Sequence, residues 1–230
     1  MSPLGAPRIH RRRTGSTSVD ARALALAGAP HGTLVTALEQ RDGRGRQGRR
    51  WHAPPGTALL CSLVLRDPPR LLAIAAGVAV AELAGAQALL KWPNDVLLDG
   101  RKVAGILIEG RPQEHWAVLG IGVNVAVDLA QLPPELRDSA GTLGLDAAAL
   151  EPTLARLLAL LELWLDAPDA AVTDAWRGRD ALLGAAVRWR GGAGTGAGID
   201  PGGRLLVALA DGREQALDAG EVHLAAADDA

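Results

Sequence analysis

Apolar residues in this chain gather in short unbroken runs separated by longer stripes of helical period, the pattern of a mixed α/β protein. Ser16 to Ala29 predicts a helix with a hydroxyl-rich start, closed by Gly28 and Pro30. Thr33 to Leu38 predicts a short strand, and the Gly- and Arg-dense loop after it ends at Pro54-Pro55. Leu59 to Leu65 is continuously apolar, as expected of a strand buried on both faces. Leu71 to Leu90 is Ala-rich and predicts a helix. Val96–Leu98 and Val103–Glu109 flank Asp99-Gly100, a strong hairpin signal. Ala117 to Val127 predicts a further strand. Pro133 to Ala167 and Val172 to Leu183 read as helical, with an apolar stripe through Leu154, Leu157, Leu158 and Leu161.

Near residue 183 the texture changes. Val187–Arg190, Gly198–Asp200, Leu205–Val207 and Glu221–Leu224 are short strand-like runs punctuated by turn signals such as Asp211-Gly212. This predicts a small antiparallel barrel of about 45 residues, too small to supply a dependable core alone, so it should lean on the larger unit. The expected division is 1–182 and 183–230.

Composition narrows the chemistry. Lys+Arg 24 against Asp+Glu 26 leaves a formal net charge of -2, which excludes a protein whose main work is coating polyanions. With 48% hydrophobic and 22% charged residues the chain has material for a real core. The single cysteine, Cys61, excludes a disulfide scaffold and a Cys-based zinc cluster, and in its apolar run it reads as an inert core thiol. The five His residues show no ligand spacing. No apolar stretch is long enough to span a bilayer, and no signal-peptide core precedes the first elements, so a soluble, cytoplasmic protein is expected. The basic run Arg8–Arg13 reads as a solvated strand start in preference to a transit peptide.

Rare residue types point to a site. Of the 24 basic residues only Lys91 and Lys102 are lysine, the other 22 being arginine, and the only two asparagines are Asn94 and Asn124. Both lysines and one asparagine fall in Lys91-Trp92-Pro93-Asn94-Asp95 and Arg101–Leu107. A compact ammonium suits a crowded position between anionic groups. Asp95 is a candidate Mg²⁺ ligand acting together with substrate phosphates. Gly105 marks a close approach to a strand backbone. Residues 43–48 formally match a dinucleotide-binding glycine motif, but Trp51-His52-Ala53-Pro54-Pro55-Gly56 denies it the helix that such a turn must open. What remains is a flexible loop with five arginines within residues 41–50, suited to closing over a phosphate or carboxylate; a solvated basic loop is the plainer reading. Gly120 and Gly122 alternate on one strand and leave a slot for a flat ligand. Thr14–Ser18 is either a helix cap, with Thr17 and Asp20 as a cap-box-like pair, or a hydroxyl cluster for a polar ligand.

Gly43–Trp51, Lys91–Asp95, Arg101–Leu107 and Gly120–Asn124, in this order and spacing, resemble the biotin protein ligases of the short type. The resemblance runs from Thr14 through the C-terminal unit. It implies a catalytic domain related to class II aminoacyl-tRNA synthetases and lipoate ligases, followed by an SH3-like barrel. It also implies that the protein activates biotin with ATP and Mg²⁺ as biotinyl-adenylate and transfers it to a lysine of a biotin carboxyl carrier protein. Carried over by motif, the biotin set is Ser16, Thr17, Ser18, Gln40, Arg44, Gly45, Arg46, Lys102 and Gly105. The ATP set is Arg46, Trp51, Asn94, Asp95, Lys102 and Asn124, with Lys102 and Arg46 as the catalytic pair. The chain departs from the family pattern at Ser18, where an Asn is usual, at Arg41-Asp42, and in having no Phe or Tyr to wall the biotin pocket. Some relatives carry an N-terminal DNA-binding domain; the opening ten residues leave no room for one, so no specific DNA binding is expected, and the protein is expected to be a monomer or homodimer. The rival readings are a lipoate or octanoate ligase on the same scaffold and a non-catalytic RNA- or single-strand-binding module built on the arginine loop.

Overall fold

In the computed structural model, which describes residues 3–111, 114–218, 220 and 222–224, seven strands form one sheet: β1 (Arg8–Arg11), β2 (Leu34–Ala37), β3 (Ala58–Arg66), β4 (Leu89–Lys91), β5 (Asp95–Leu98), β6 (Arg101–Arg111) and β7 (Trp116–Asn124). Their order is β1-β2-β3-β7-β6-β5-β4. Only β1 and β2 run parallel; every other neighbouring pair is antiparallel. The unbroken apolar run of β3 is thus that of a central strand covered on both faces, not of a parallel sheet.

Strand alternation sorts the three central strands into two faces. Leu59, Cys61, Leu63 and Leu65 of β3, Leu119, Ile121 and Val123 of β7, and Ile106 of β6 enter the large core. There they meet α2 (Leu72–Ala84), α4 (Leu150–Leu165) and α5 (Asp169–Arg177). Leu154, Leu157 and Leu161 of α4 are buried as the periodicity predicted, each contributing about 1.5–3 kcal/mol. On the opposite face, α1 (Thr17–Leu26) lays Ala21 and Ala25 on Val35, Val64 and Val118. It covers only one end of the sheet; the other end is left for the arginine loop.

Several predicted helices are shorter than their apolar patterns. α1 stops at Leu26, and Gly28 turns with φ 85°. α2 ends at Ala84, where Gly85 takes φ 117°, a conformation that breaks the helix and turns the chain into β4. The predicted helix from Pro133 to Ala167 is one turn, α3 (Pro134–Arg137), then irregular chain through Gly141 and Gly144, then α4. The last predicted helix, Val172 to Leu183, is α5, which begins three residues earlier at Asp169 and ends six residues earlier at Arg177.

Beyond α5, five antiparallel strands form a second sheet: β8 (Ala186–Trp189), β9 (Gly192–Ile199), β10 (Leu205–Ala208), β11 (Glu214–Leu217) and β12 (Val222–Leu224), ordered β11-β10-β9-β8-β12. This is the small C-terminal β unit expected from the sequence; Glu221 of the predicted last strand lies outside the described residues. Val187, Ile199, Leu205, Val207 and Leu217 join the large core, and Trp92 Nε1 donates to the Gly203 carbonyl at 3.0 Å. The small unit does lean on the large one. Among the described residues no helix is long and apolar enough to cross a membrane.

Candidate active site

The uncovered end of the sheet carries a cleft of about 420 Å³. Its floor follows from strand alternation: β7 presents Gly120, Gly122 and Asn124, and β6 presents Gly105 and Leu107, while their apolar neighbours face the helices; Ser62 of β3 is fully buried behind Thr17 and Ser18. Gly105 and Gly122 are direct cross-strand partners. A Cβ on Gly122 would lie 2.6 Å from Trp51 Cε2, and one on Gly105 would lie 3.1 Å from Trp51 Cζ3. The slot predicted for a flat ligand is therefore occupied by the chain's own indole.

At the α1 end, the hydroxyl cluster is wired into the sheet. Gln40 Oε1 accepts from the Thr17 backbone N–H at 2.7 Å and from Thr17 Oγ1 at 3.1 Å, so the side chain of a distant loop residue caps α1. The predicted Thr17–Asp20 cap box does not form, because Asp20 instead accepts from Thr14 Oγ1 at 2.8 Å. Ser62 lies 2.8 Å from Thr17 Oγ and 3.2 Å from Ser18 Oγ. Ser18 also packs so close to Gly120 that a Cβ there would meet its Oγ at 2.7 Å. Thr17 and Ser18 line the cleft. Ser16 precedes the helix, and its buried hydroxyl has no hydrogen-bond partner.

The arginine loop is a stiff hairpin. Arg44 and Arg50 pair as an antiparallel bridge, Gly45 N–H donates to the Arg49 carbonyl at 2.7 Å, and Trp51 N–H donates to the Gly43 carbonyl at 2.9 Å. Gln47 sits at its tip with φ 55°, rarely adopted by a non-glycine residue. Arg50 pairs with Asp42, one of the two unusual residues before the loop. Arg44, Gly45, Arg46, Arg49 and Trp51 line the cleft. No helix follows, so the dinucleotide motif is formal only.

Lys102 Nζ is 2.7 Å from Asp95 Oδ1 and 5.7 Å above the Trp51 ring. From the sequence, anionic groups are expected around this ammonium; the structure gives it one carboxylate, Asp95, and the face of Trp51. Asn124 is 4% exposed; its Nδ2 donates to the Gly141 carbonyl at 2.8 Å, and its Oδ1 is buried with no partner. A buried acceptor left open beside a cleft is one that a ligand donor can satisfy. Trp51 Nε1 is likewise buried and unpartnered. Asn94 lines the cleft, but its Nδ2 donates to the Ile106 carbonyl at 3.1 Å, tying the β5–β6 pair together. Among the described residues no group of three or more His, Cys, Asp or Glu side chains is placed to hold a metal ion. Asp95 alone fits only an ion that takes most of its oxygens from a phosphate ligand. Cys61 points into the helix-covered core, and burial pushes its thiol up to about 12, which removes it as a nucleophile.

The model of the Biotin/lipoate A/B protein ligase family matches residues 10–125. Over 239 residues the chain is 36% identical to the biotin–[acetyl-CoA-carboxylase] ligase of Paracoccus denitrificans, covering 91% of this chain and 97% of that one. The chain belongs to the biotin/lipoate A/B protein ligase family. It is also 40% identical over 152 residues to a bifunctional ligase/repressor of Bacillus subtilis; that match covers 61% of this chain and 47% of the relative, so the chain spans about half that relative's length. The structure superposes on the biotin protein ligase of Aquifex aeolicus in complex with biotin and ATP with a TM-score of 0.77 and 25% identity, covering 96% of this chain and 100% of that one.

In this member of the biotin/lipoate ligase family, the fold brings the four sequence segments to one cleft. Sequence reasoning passed over two residues that support it from behind. Ser62 is the lone polar side chain in the apolar run of β3, and that isolation was its signal. Glu109, at the end of the apolar run of β6, pairs with Arg44, Nη1 to Oε1 2.9 Å. Nothing in its local sequence announces that partner.

Proposed function

We propose that this chain is an ATP-dependent ligase that activates biotin as biotinyl-5′-adenylate and passes it to a lysine of a biotin carboxyl carrier domain. The observation that carries this reading is the ammonium of Lys102, held between Asp95 and the Trp51 ring where the arginine loop meets the sheet floor. Two anions, a carboxylate and a triphosphate, must approach there, and a fixed cation lowers the cost of bringing their charges together. The biotin carboxylate attacks the α-phosphorus, the bond to the β-phosphate bridging oxygen breaks, and pyrophosphate leaves with the electron pair. The carrier lysine amine then attacks the acyl carbon of the mixed anhydride, and AMP leaves.

In this reading Thr17 and Ser18 offer hydroxyls, and Gln40 its amide, to the polar head of biotin, with Ser16 and the fully buried Ser62 behind them. The hairpin backbone at Arg44–Arg46 and the Arg46 guanidinium lie over the carboxylate and phosphates, and Gly105 keeps the strand backbone open to the ligand. Asn124 Oδ1 is suited to accept from the adenine amino group, and Trp51 supplies the ring beside it; Asn94 supports the nucleotide end by holding β5 to β6. Mg²⁺ would be held by Asp95 and the nucleotide phosphates, and would supply further neutralisation of phosphate charge. We assign 1–182 to the catalytic domain and 183–230 to the SH3-like unit; the start of β8 at Ala186 supports that division. The likeness to the Paracoccus denitrificans biotin–[acetyl-CoA-carboxylase] ligase supports a carboxylase carrier domain as acceptor. The test is biotin-dependent ATP–pyrophosphate exchange. Exchange with biotin is the expected result; none with biotin but exchange with lipoate would select a lipoate ligase, and none with either would overturn adenylation altogether.

A further inference from the structure

The five arginines of the loop do not share one task. Arg50 is bound inside the loop to Asp42 and donates to the Arg41 carbonyl at 2.8 Å. Arg46 and Arg49 line the cleft. Arg44 lines the cleft too, but its guanidinium reaches the sheet, placing Nη1 2.9 Å from Glu109 Oε1.

Glu109 lies on β6 two and four positions beyond Leu107 and Gly105, on the face that carries the cleft floor. β6 is bonded to β5 over Arg101–Gly105 and to β7 over Ala104–Arg111, so Glu109 is held in the sheet by its pairing with Val118 of β7. The Glu109 side chain is only 19% exposed, and its Oε2 is buried without a hydrogen-bond partner. A carboxylate so far out of water needs its cation. The hairpin bridge at Arg44–Arg50 makes the loop move as a unit, so a tether at Arg44 also holds Gly45 and Arg46. Trp51, seated over Gly105 and Gly122, is the loop's second point of attachment.

We propose that Glu109 is a positioning residue: through Arg44 it fastens the arginine loop to β6 and sets how long the loop stays closed over its ligand. On the ligase reading above, on which this role in the reaction rests, Glu109 thereby governs retention of biotinyl-adenylate rather than its formation.

Glu109→Gln in the full chain keeps the volume and removes the charge. Loss of a partly exposed charged hydrogen bond predicts about tenfold faster trypsin cleavage within the ligand-free loop, and about tenfold faster release of biotinyl-adenylate in a chase experiment, with a smaller change in exchange rate. The charge swap Arg44→Glu with Glu109→Arg should restore slow cleavage after Arg46 and Arg49, scored bond by bond because the swap itself removes the Arg44 site; general loosening of the fold would not produce that outcome. Unchanged cleavage and retention in Glu109→Gln, or failure of the swap to restore protection, would overturn the proposal. Faster cleavage in Glu109→Gln in a protein whose wild type shows no biotin-dependent exchange would overturn the ligase reading and leave the tether standing.

Discussion

A methyl group at Gly122 tests the floor of the cleft directly. Its Cβ would lie 2.6, 2.9 and 3.0 Å from three atoms of the Trp51 ring, where ordinary contact begins near 3.4 Å. The strand backbone is held by β3 and β6 on either side and will not yield. The indole is half-buried with the cleft on one side, so it is the group that moves. Overpacking of this kind costs about 1–3 kcal/mol, and here the cost falls on whatever needs the indole in its notch. If Trp51 walls the nucleotide site, Gly122→Ala should raise KM for ATP by roughly 5- to 150-fold, following that energy range, with KM for biotin changing far less. Exchange kinetics with each substrate varied in turn read this split. In a Trp51→Leu background the obstructing ring is gone, so Gly122→Ala should cost little further; the two substitutions should be strongly non-additive. Equal increases in both KM values, or simple additivity, would refute the steric argument.

Three further outcomes follow from named groups. Lys102→Arg should slow adenylate formation by about 10²-fold despite keeping the charge, because a planar fork does not fit the space between Asp95 and Trp51 that the ammonium fills; near-normal single-turnover rates would discount that role. Cys61, buried and with its thiol pushed up to about 12, should resist a thiol reagent at neutral pH until the protein unfolds, when one equivalent reacts. Arg8 donates two hydrogen bonds to Glu151, at 2.7 and 2.6 Å, which lowers the Glu151 pKa from its ordinary 4.5. A depressed folded-state value means that the pair stabilises above the unfolded pKa and that this is lost as pH falls through the folded one. Glu151→Gln should therefore lower Tm near neutral pH, by about 1–2 °C for so exposed a pair. The two melting curves should converge in acid.

Much of the fold was legible because alternation and period are local properties. Strands such as β2, β3, β7 and β10 follow short apolar runs, whereas β1 (Arg8–Arg11), the Gly-rich β9 (Gly192–Ile199) and β11 (Glu214–Leu217) do not; the hairpin at Asp99-Gly100 forms as its turn chemistry dictates, with both residues at positive φ. The misread boundaries share a cause: alanine and leucine are equally apolar in a helix, a loop and a strand, so Leu71–Leu90 carried no mark of where α2 yields to β4 except Gly85. The order of strands in the sheet was not legible. It depends on which apolar faces pair across long separations, as when β7 inserts between β3 and β6.

The site divides in the same way. Scarcity of Lys and Asn located Lys102 and Asn124, since a residue type that runs against the chain's composition is held there by something local. Abundance concealed the rest. Twenty-two arginines gave no means of separating Arg44, which grips Glu109, and Arg50, which grips Asp42, from Arg46 in the cleft. The alternate glycines of β7 were read correctly as a recess but filled with the wrong object, because a recess does not say whether a ligand or a side chain occupies it. Only the hairpin geometry, which returns Trp51 to Gly43 and swings the indole over the sheet, decides that. The predicted lid is therefore better described as a tethered flap. It is fastened at Arg44 and seated at Trp51, and the hairpin between these two points carries Arg46 and Arg49 at the cleft.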